Sequence, residues 1–183
     1  MPAISKNEGP VAVTGASGFI GAHCVRVLLR EGYDVRACVT DANNPQKTEF
    51  LLAMGDELPG TLTLHEANLL KAGSYDQPFD GCAGVMHVGT AMGYGGANKP
   101  QQVYDGAING TKNVLSSITK GGSVRRLVYT SSFAAIGHPA KPGYVFTEDD
   151  WASDNREKDP NGAEVEKSQV GGRDTFWVPS VQK

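Results

Sequence analysis

The sequence predicts an α/β fold, a doubly wound parallel sheet of about five strands with helices on both faces. Three observations carry that expectation. Short apolar runs alternate with longer amphipathic stretches from Val11 to Ser132. One run, Cys82 to Thr90, is apolar at nearly every position, as a central parallel strand covered on both faces has to be. The stretch Val11-Ala-Val-Thr-Gly-Ala-Ser-Gly-Phe-Ile-Gly21 leads from an apolar run, through three glycines spaced three apart, into an amphipathic segment.

Each element has its own warrant. Val11 to Thr14 reads as the first strand. Phe19 to Arg30 puts Ile20, Val25, Val27, Leu28 and Leu29 on one buried stripe, and Gly32 stops the helix. Val35 to Thr40 is the second strand. Asn43 to Pro45 turns the chain, and Lys47 to Met54 is a short helix ending at Gly55. The third strand runs through Leu62 and Leu64 and closes at Ala67-Asn68-Leu69. Cys82 to Thr90 is the fourth, followed by a glycine-rich loop from Gly93 to Pro100. Gln102 to Lys120 is a long helix carrying Val103, Ile108, Val114, Leu115 and Ile118, and Arg126 to Ser131 is the fifth strand. After about Gly137 the chain is broken by Pro139, Pro142 and Gly143, and Thr147 to Lys167 is strongly charged. Residues 1–150 are therefore expected to form the ordered domain and 151–183 an irregular tail.

The glycine stretch has a chemical reading. Gly15 lets the chain leave a strand in a tight turn, Gly18 lets backbone amides approach a pyrophosphate, and Gly21 lets the helix pack close to the sheet. The helix points its unpaired N–H groups and the positive end of its dipole at the same place. A dinucleotide site is expected here; the plainer alternative is a merely tight strand–helix turn. A residue that reads the ribose belongs about 20 positions later, where the second strand ends.

Composition narrows the partners. A net charge of -3 provides no basic footprint for nucleic acid or an anionic membrane. No apolar run approaches the ~20 residues needed to cross a bilayer. The first ten residues lack the basic and apolar regions of a signal peptide. The three cysteines, Cys24, Cys38 and Cys82, have no metal-ligand spacing and read as reduced, buried thiols. The expected location is cytoplasmic or another reducing compartment, with an organelle left open. No metal site is expected: His23, His65, His87 and His138 are each isolated and read as structural.

Taken together, Thr14-Gly-Ala-Ser-Gly-Phe-Ile-Gly21, Gly32-Tyr-Asp-Val-Arg36, Lys47-Thr-Glu-Phe-Leu-Leu52, Asn109-Gly-Thr-Lys-Asn113, Arg126-Leu-Val-Tyr-Thr-Ser-Ser132 and the acidic pair before Trp151 resemble the extended short-chain dehydrogenase/reductase family, which is NAD-dependent epimerase/dehydratase-like. The resemblance is to its dihydroflavonol, cinnamoyl-CoA and aldehyde reductase branch, and runs in family order from about residue 10 to about 160. It implies a Rossmann fold, strand order 3-2-1-4-5, and NADP(H) rather than NAD(H) across the C-terminal strand ends. Gly15, Ser17, Gly18, Phe19, Ile20 and Gly21 would line the pyrophosphate. Asn68 and Leu69 match an Asp-Leu pair near the adenine. Val88, Gly89 and Thr90 match the fourth-strand end flanking the ribose and nicotinamide. Lys47 matches a basic residue on the 2′-phosphate, and Arg36 also favours NADP. The chain departs from the branch at Thr40, where arginine is usual, and at Asn68, where aspartate is usual. Asp41 is left as an alternative acceptor for a ribose 2′-hydroxyl, as in NAD binders.

Hydride transfer to a carbonyl needs a proton donor for the developing alkoxide. In the family this is a tyrosine tuned by a lysine four residues later, on the same helix face, with a serine positioning the carbonyl. Ser132 matches that serine; the alternative is that Ser131 and Ser132 only cap the strand. No tyrosine follows Tyr144, whose fourth neighbour is Glu148, and Lys158 and Lys167 have Asp154 and Ala163 four residues before them. The Tyr-x-x-x-Lys pair is absent from this sequence, and members of the family are much longer. The expectation is an oxidoreductase-lineage fold truncated before the substrate lobe, binding a nicotinamide dinucleotide and catalytically incomplete as this chain. The alternative is a non-catalytic scaffold or a structural subunit. Its fifth strand should be an open edge, covered by the tail from Trp151 to Trp177 or by a protein partner.

Overall fold

The computed structural model describes residues 4–91, 100–132, 135, 142–147, 169–170 and 173–174. Five strands form the main sheet: β1 (Val11–Thr14), β2 (Asp34–Val39), β3 (Thr61–Glu66), β4 (Gly84–His87) and β5 (Arg126–Tyr129). Their order is β3-β2-β1-β4-β5, and every pairing is parallel. The expected topology is the observed one. Between them run the helices α1 (Phe19–Arg30), α2 (Pro45–Glu57), α3 (Asp76–Phe79) and α4 (Pro100–Gly121).

Side-chain alternation along the strands divides the core in two. Val13, Val35, Ala37 and Val39 face Val25 and Leu29 of α1 and Leu51 of α2. Ala12, Cys38 and Val85 face Tyr75 and Phe79 at α3 and Val114 of α4. Both faces of β1 are covered, which is why all four of its residues are buried. Since the strands are parallel, their C-terminal ends share one edge. The strand order switches between β1 and β4, which is where a doubly wound sheet places its ligand crevice, beside the central strand.

Local chemistry explains most boundaries. α1 ends where Gly32 takes φ +82 and donates to the Leu29 carbonyl while Tyr33 N–H reaches Leu28 O at 3.0 Å, a left-handed closure that suits glycine. The expected stop at Gly55 is corrected: α2 continues to Glu57. A Cβ at Gly55 would stand 2.9 Å from Leu62 Cβ, so this glycine lets α2 lie close on β3 instead of ending the helix. The fourth strand is shorter than expected, stopping at His87, with Val88 to Thr90 in the turn beyond. The short α3 has no periodic signal. Its first residue, Asp76, accepts from Ser117 Oγ at 2.6 Å and pairs with Lys120 of α4.

β5 differs from the other strands. Val128 and Tyr129 are 45% and 40% exposed at the sheet edge. The open edge expected there is present among the described residues. The glycine-rich loop before α4 and most of the C-terminal stretch lie outside the described residues; within that stretch β6 (Gln169–Val170) pairs antiparallel with β7 (Arg173–Asp174). No helix among the described residues is long and apolar enough to cross a membrane. All three cysteines are free thiols, with Cys38 and Cys82 buried.

Candidate functional site

The C-terminal edge of the sheet collects most of the residues singled out above. β1 hands over to α1 through Gly15, whose φ of +64 suits only a residue without a side chain. A Cβ there would meet Gly89 Cα at 2.6 Å, so the β1 and β4 turns cross in near contact. A Cβ on Gly21 would stand 2.1 Å from the Gly15 carbonyl oxygen, so α1 starts tight against the turn it leaves. Gly18 is the N-cap and offers no side-chain hydrogen bond to the helix. The amides of the first turn, Phe19 to Gly21, therefore have no capping side chain, which leaves a donor set for an anion at the crevice. Phe19 (83% exposed) and Ile20 (55%) stand beside it, and the Phe19 ring meets His23 edge-on at 4.9 Å. Ser17 joins Gly18 and Phe19 in the wall of a shallow groove of about 280 Å³ between α1 and α2.

The other expected residues divide. Thr40 and Asp41 follow the end of β2, and Asp41 Oδ1 accepts from Asn43 N–H at 3.0 Å, closing a turn. Lys47 is exposed in the first turn of α2. Asn68 follows β3, its Oδ1 accepting from Leu70 N–H at 2.9 Å, while the Leu69 carbonyl accepts from Asn113 Nδ2 at 2.7 Å. An asparagine keeps this turn as an aspartate would, so the departure at 68 is accommodated. Val88 and Gly89 lie directly over Thr14, and Thr90 is exposed beyond them. Ser132 stands past the end of β5, exposed, its carbonyl accepting from Ala135 N–H.

Arg36 stands apart from the other expected residues. It pairs with Ala12 in mid-sheet on the face that carries α3, not on the face of α1 and α2. Its guanidinium donates to the carbonyls of Pro78 at 3.0 Å and Asp80 at 2.6 Å, closing off the end of α3. The guanidinium is engaged by these carbonyls, on the sheet face opposite α1 and α2.

Two residues at the heart of the site were not singled out as functional from the sequence. Thr14 is fully buried, and its Oγ1 lies 3.1 Å from both Val88 N and Gly89 N and 2.8 Å from His87 Nδ1. His87 is 3% exposed, and its ring meets Tyr129 edge-on at 5.1 Å. Burial holds the His87 imidazole down to about 4, because the charged form cannot be hydrated there. The available signal was a lone histidine inside an otherwise apolar strand. No group of residues that could hold a metal ion occurs among the described residues.

A parallel sheet with a switch-point crevice and a glycine turn feeding a helix defines a Rossmann fold of the kind NAD(P)-dependent reductases use. A model of the 3-beta hydroxysteroid dehydrogenase/isomerase family matches residues 12–160, and the chain belongs to that family. It is 38% identical over 149 residues to a dihydroflavonol 4-reductase of Hordeum vulgare, covering 80% of this chain and 41% of that protein. To a cinnamoyl-CoA reductase of Medicago truncatula it is 42% identical over 154 residues, covering 82% of this chain and 47% of that one. The structure of Gre2 from Candida albicans in complex with NADPH superposes with TM-score 0.65 at 29% identity, covering 78% of this chain and 43% of Gre2. The reductase-branch resemblance is thus shown, and the chain spans less than half the length of these relatives.

Proposed function

We propose that this chain binds a nicotinamide dinucleotide at the crevice between the β1 and β4 turns, NADP(H) in preference to NAD(H). The observation that carries this reading is the uncapped first turn of α1, seated on a turn that only glycine permits at 15 and 21. A pyrophosphate fits that donor set, and the exposed Phe19 and Ile20 would flank it. The solved relative Gre2 is described with NADPH, which supports the same class of ligand. When bound, such a cofactor supplies or accepts a hydride. Lys47 is the residue proposed for the 2′-phosphate, with the Thr40 hydroxyl beside the end of β2, since Arg36 is occupied elsewhere. Asn68 and Leu69 would border the adenine, and Val88, Gly89 and Thr90 the nicotinamide side.

Ser132 is proposed to meet a carbonyl substrate. Without a Tyr-x-x-x-Lys pair, this chain by itself is expected not to turn one over. A scaffold or subunit reading is supported by the β5 edge, which no other strand pairs among the described residues and where the partly exposed Val128 and Tyr129 invite cover by another chain. The free thiols support a reducing compartment. Titration of NADPH and NADH, followed by nicotinamide fluorescence, tests the specificity. Lys47→Ala should weaken NADPH about tenfold and leave NADH unchanged, as loss of one charged phosphate contact predicts. Equal weakening of both would reject Lys47 as the phosphate residue. A carbonyl turnover assay on the same protein separates the enzyme and scaffold readings.

A further inference from the structure

The Thr14 hydroxyl sits among three nitrogens: Val88 N at 3.1 Å, Gly89 N at 3.1 Å and His87 Nδ1 at 2.8 Å. Backbone amides can only donate. A threonine hydroxyl has two acceptor positions and one proton. With both amides donating to the oxygen, its single proton has one destination, the third nitrogen. His87 Nδ1 must therefore accept, so the ring is neutral and carries its proton on Nε2. The opposite tautomer, or the imidazolium, would aim a third donor at one oxygen.

What this hydroxyl holds is the floor of the crevice. The Gly89 amide is shared between Thr14 Oγ1 and the Thr14 carbonyl, which lies at 3.2 Å. This sharing draws the β4 turn down onto β1, where Gly15 lies so close that no Cβ fits between them. The chain leaving β4 is thereby fixed relative to the chain entering α1. A Thr14 hydroxyl without an acceptor would turn its proton elsewhere and release one or both amides, because a buried donor left unpaired is costly.

We propose that His87, as the neutral tautomer protonated on Nε2, is the positioning residue that orients the Thr14 hydroxyl and so fixes Val88 and Gly89 as the floor of the dinucleotide crevice. The consequence for ligand affinity rests on the function proposed above; the positioning itself does not. The Tyr129 ring packed edge-on against the imidazole and the Thr111 hydroxyl 3.5 Å from Tyr129 Oη complete the surroundings on the α4 side. The histidine is thus held from β1 and β5, and α4 touches it only through Tyr129.

Three measurements on the full chain test this. A two-bond proton–nitrogen spectrum of the unliganded wild type should show His87 Nδ1 bare and Nε2 protonated at neutral pH; a proton on Nδ1 would overturn the proposal without any variant being made. Amide exchange at Val88 and Gly89 should speed up about tenfold in His87→Leu, which lacks the acceptor, and stay within about threefold of wild type in His87→Asn, whose Oδ1 can take the Nδ1 role. NADPH affinity should follow the same pattern, falling about tenfold in the leucine variant only. Equal behaviour of the two variants would reduce His87 to a filler of space. If wild type binds neither NADPH nor NADH while the tautomer and exchange pattern hold, the positioning claim stands and the dinucleotide reading falls.

Discussion

The two flanks of β1 are built to different standards. On the β4 side the structure closes: Thr14 and His87 are buried, the Thr14 hydroxyl lies among three nitrogens, and the two turns touch at Gly15 and Gly89. One strand further out, β5 shows Val128 and Tyr129 to solvent at 45% and 40%. The contrast is one of self-sufficiency. Residues within about ninety positions of each other assemble the crevice without outside help, whereas the β5 edge is finished by nothing among the described residues. The turns beside β1 can thus close on one another while the outer strand still presents a surface.

Breaking the closed side should cost most. Phe79 is fully buried beside Tyr75 on the α3/α4 face, and Phe79→Ala should destabilise the fold by about 3–5 kcal/mol in denaturant unfolding. Acid probes the same region more gently. The His87 value near 4 lies below the ~6.5 of an unfolded histidine, so the unfolded chain binds the extra proton. Stability should be full above pH 6.5 and fall as pH drops towards 4, by on the order of 3 kcal/mol. His65, also held down by burial, adds to that slope. The wild-type curve should therefore be steeper than that of His87→Asn, and parallel curves would contradict the assignment. Arg36→Ala should cost about 1–2 kcal/mol by uncovering the α3 carbonyls, with the NADPH-to-NADH affinity ratio unmoved. A changed ratio would return Arg36 to the site. The open side should barely respond: Val128→Ser is expected to stay within about 0.5 kcal/mol of wild type. A loss of several kcal/mol would show that β5 is covered after all.

What the sequence revealed follows the range of the forces involved. β1 and α1 were legible to the residue because strand alternation, the glycine turn and the Gly32 stop are all local signals. The topology was legible through the family resemblance those motifs carry, which implied the order 3-2-1-4-5 that the sheet shows. Gly55 misled because a glycine that ends a helix and one that lets a helix approach a sheet read alike in one dimension. The four-residue α3 escaped notice because Ser117 and Lys120 hold its Asp76, and Arg36 its terminal carbonyls, from far along the chain. The same distance hid the task of Arg36, placed by strand alternation on the face away from α1 and α2. In the site, positions such as Gly15, Gly18 and Gly89 could be named, but the Thr14–His87 pair could not, since it joins residues 73 apart.

The crevice at the β1–β4 turns is proposed here as a working dinucleotide site. Calorimetry with NADPH and NADH on wild type and on Gly18→Val tests it most directly. Gly18 has ordinary backbone angles, but a Cβ there would lie 3.2 Å from Gly15 O, a tight contact that the turn must yield to, so an unfolding curve of the variant accompanies the titration while its side chain blocks the helix terminus. Saturable binding by wild type, abolished in Gly18→Val, is the predicted result. No binding to wild type, or equal binding to both proteins, would contradict it.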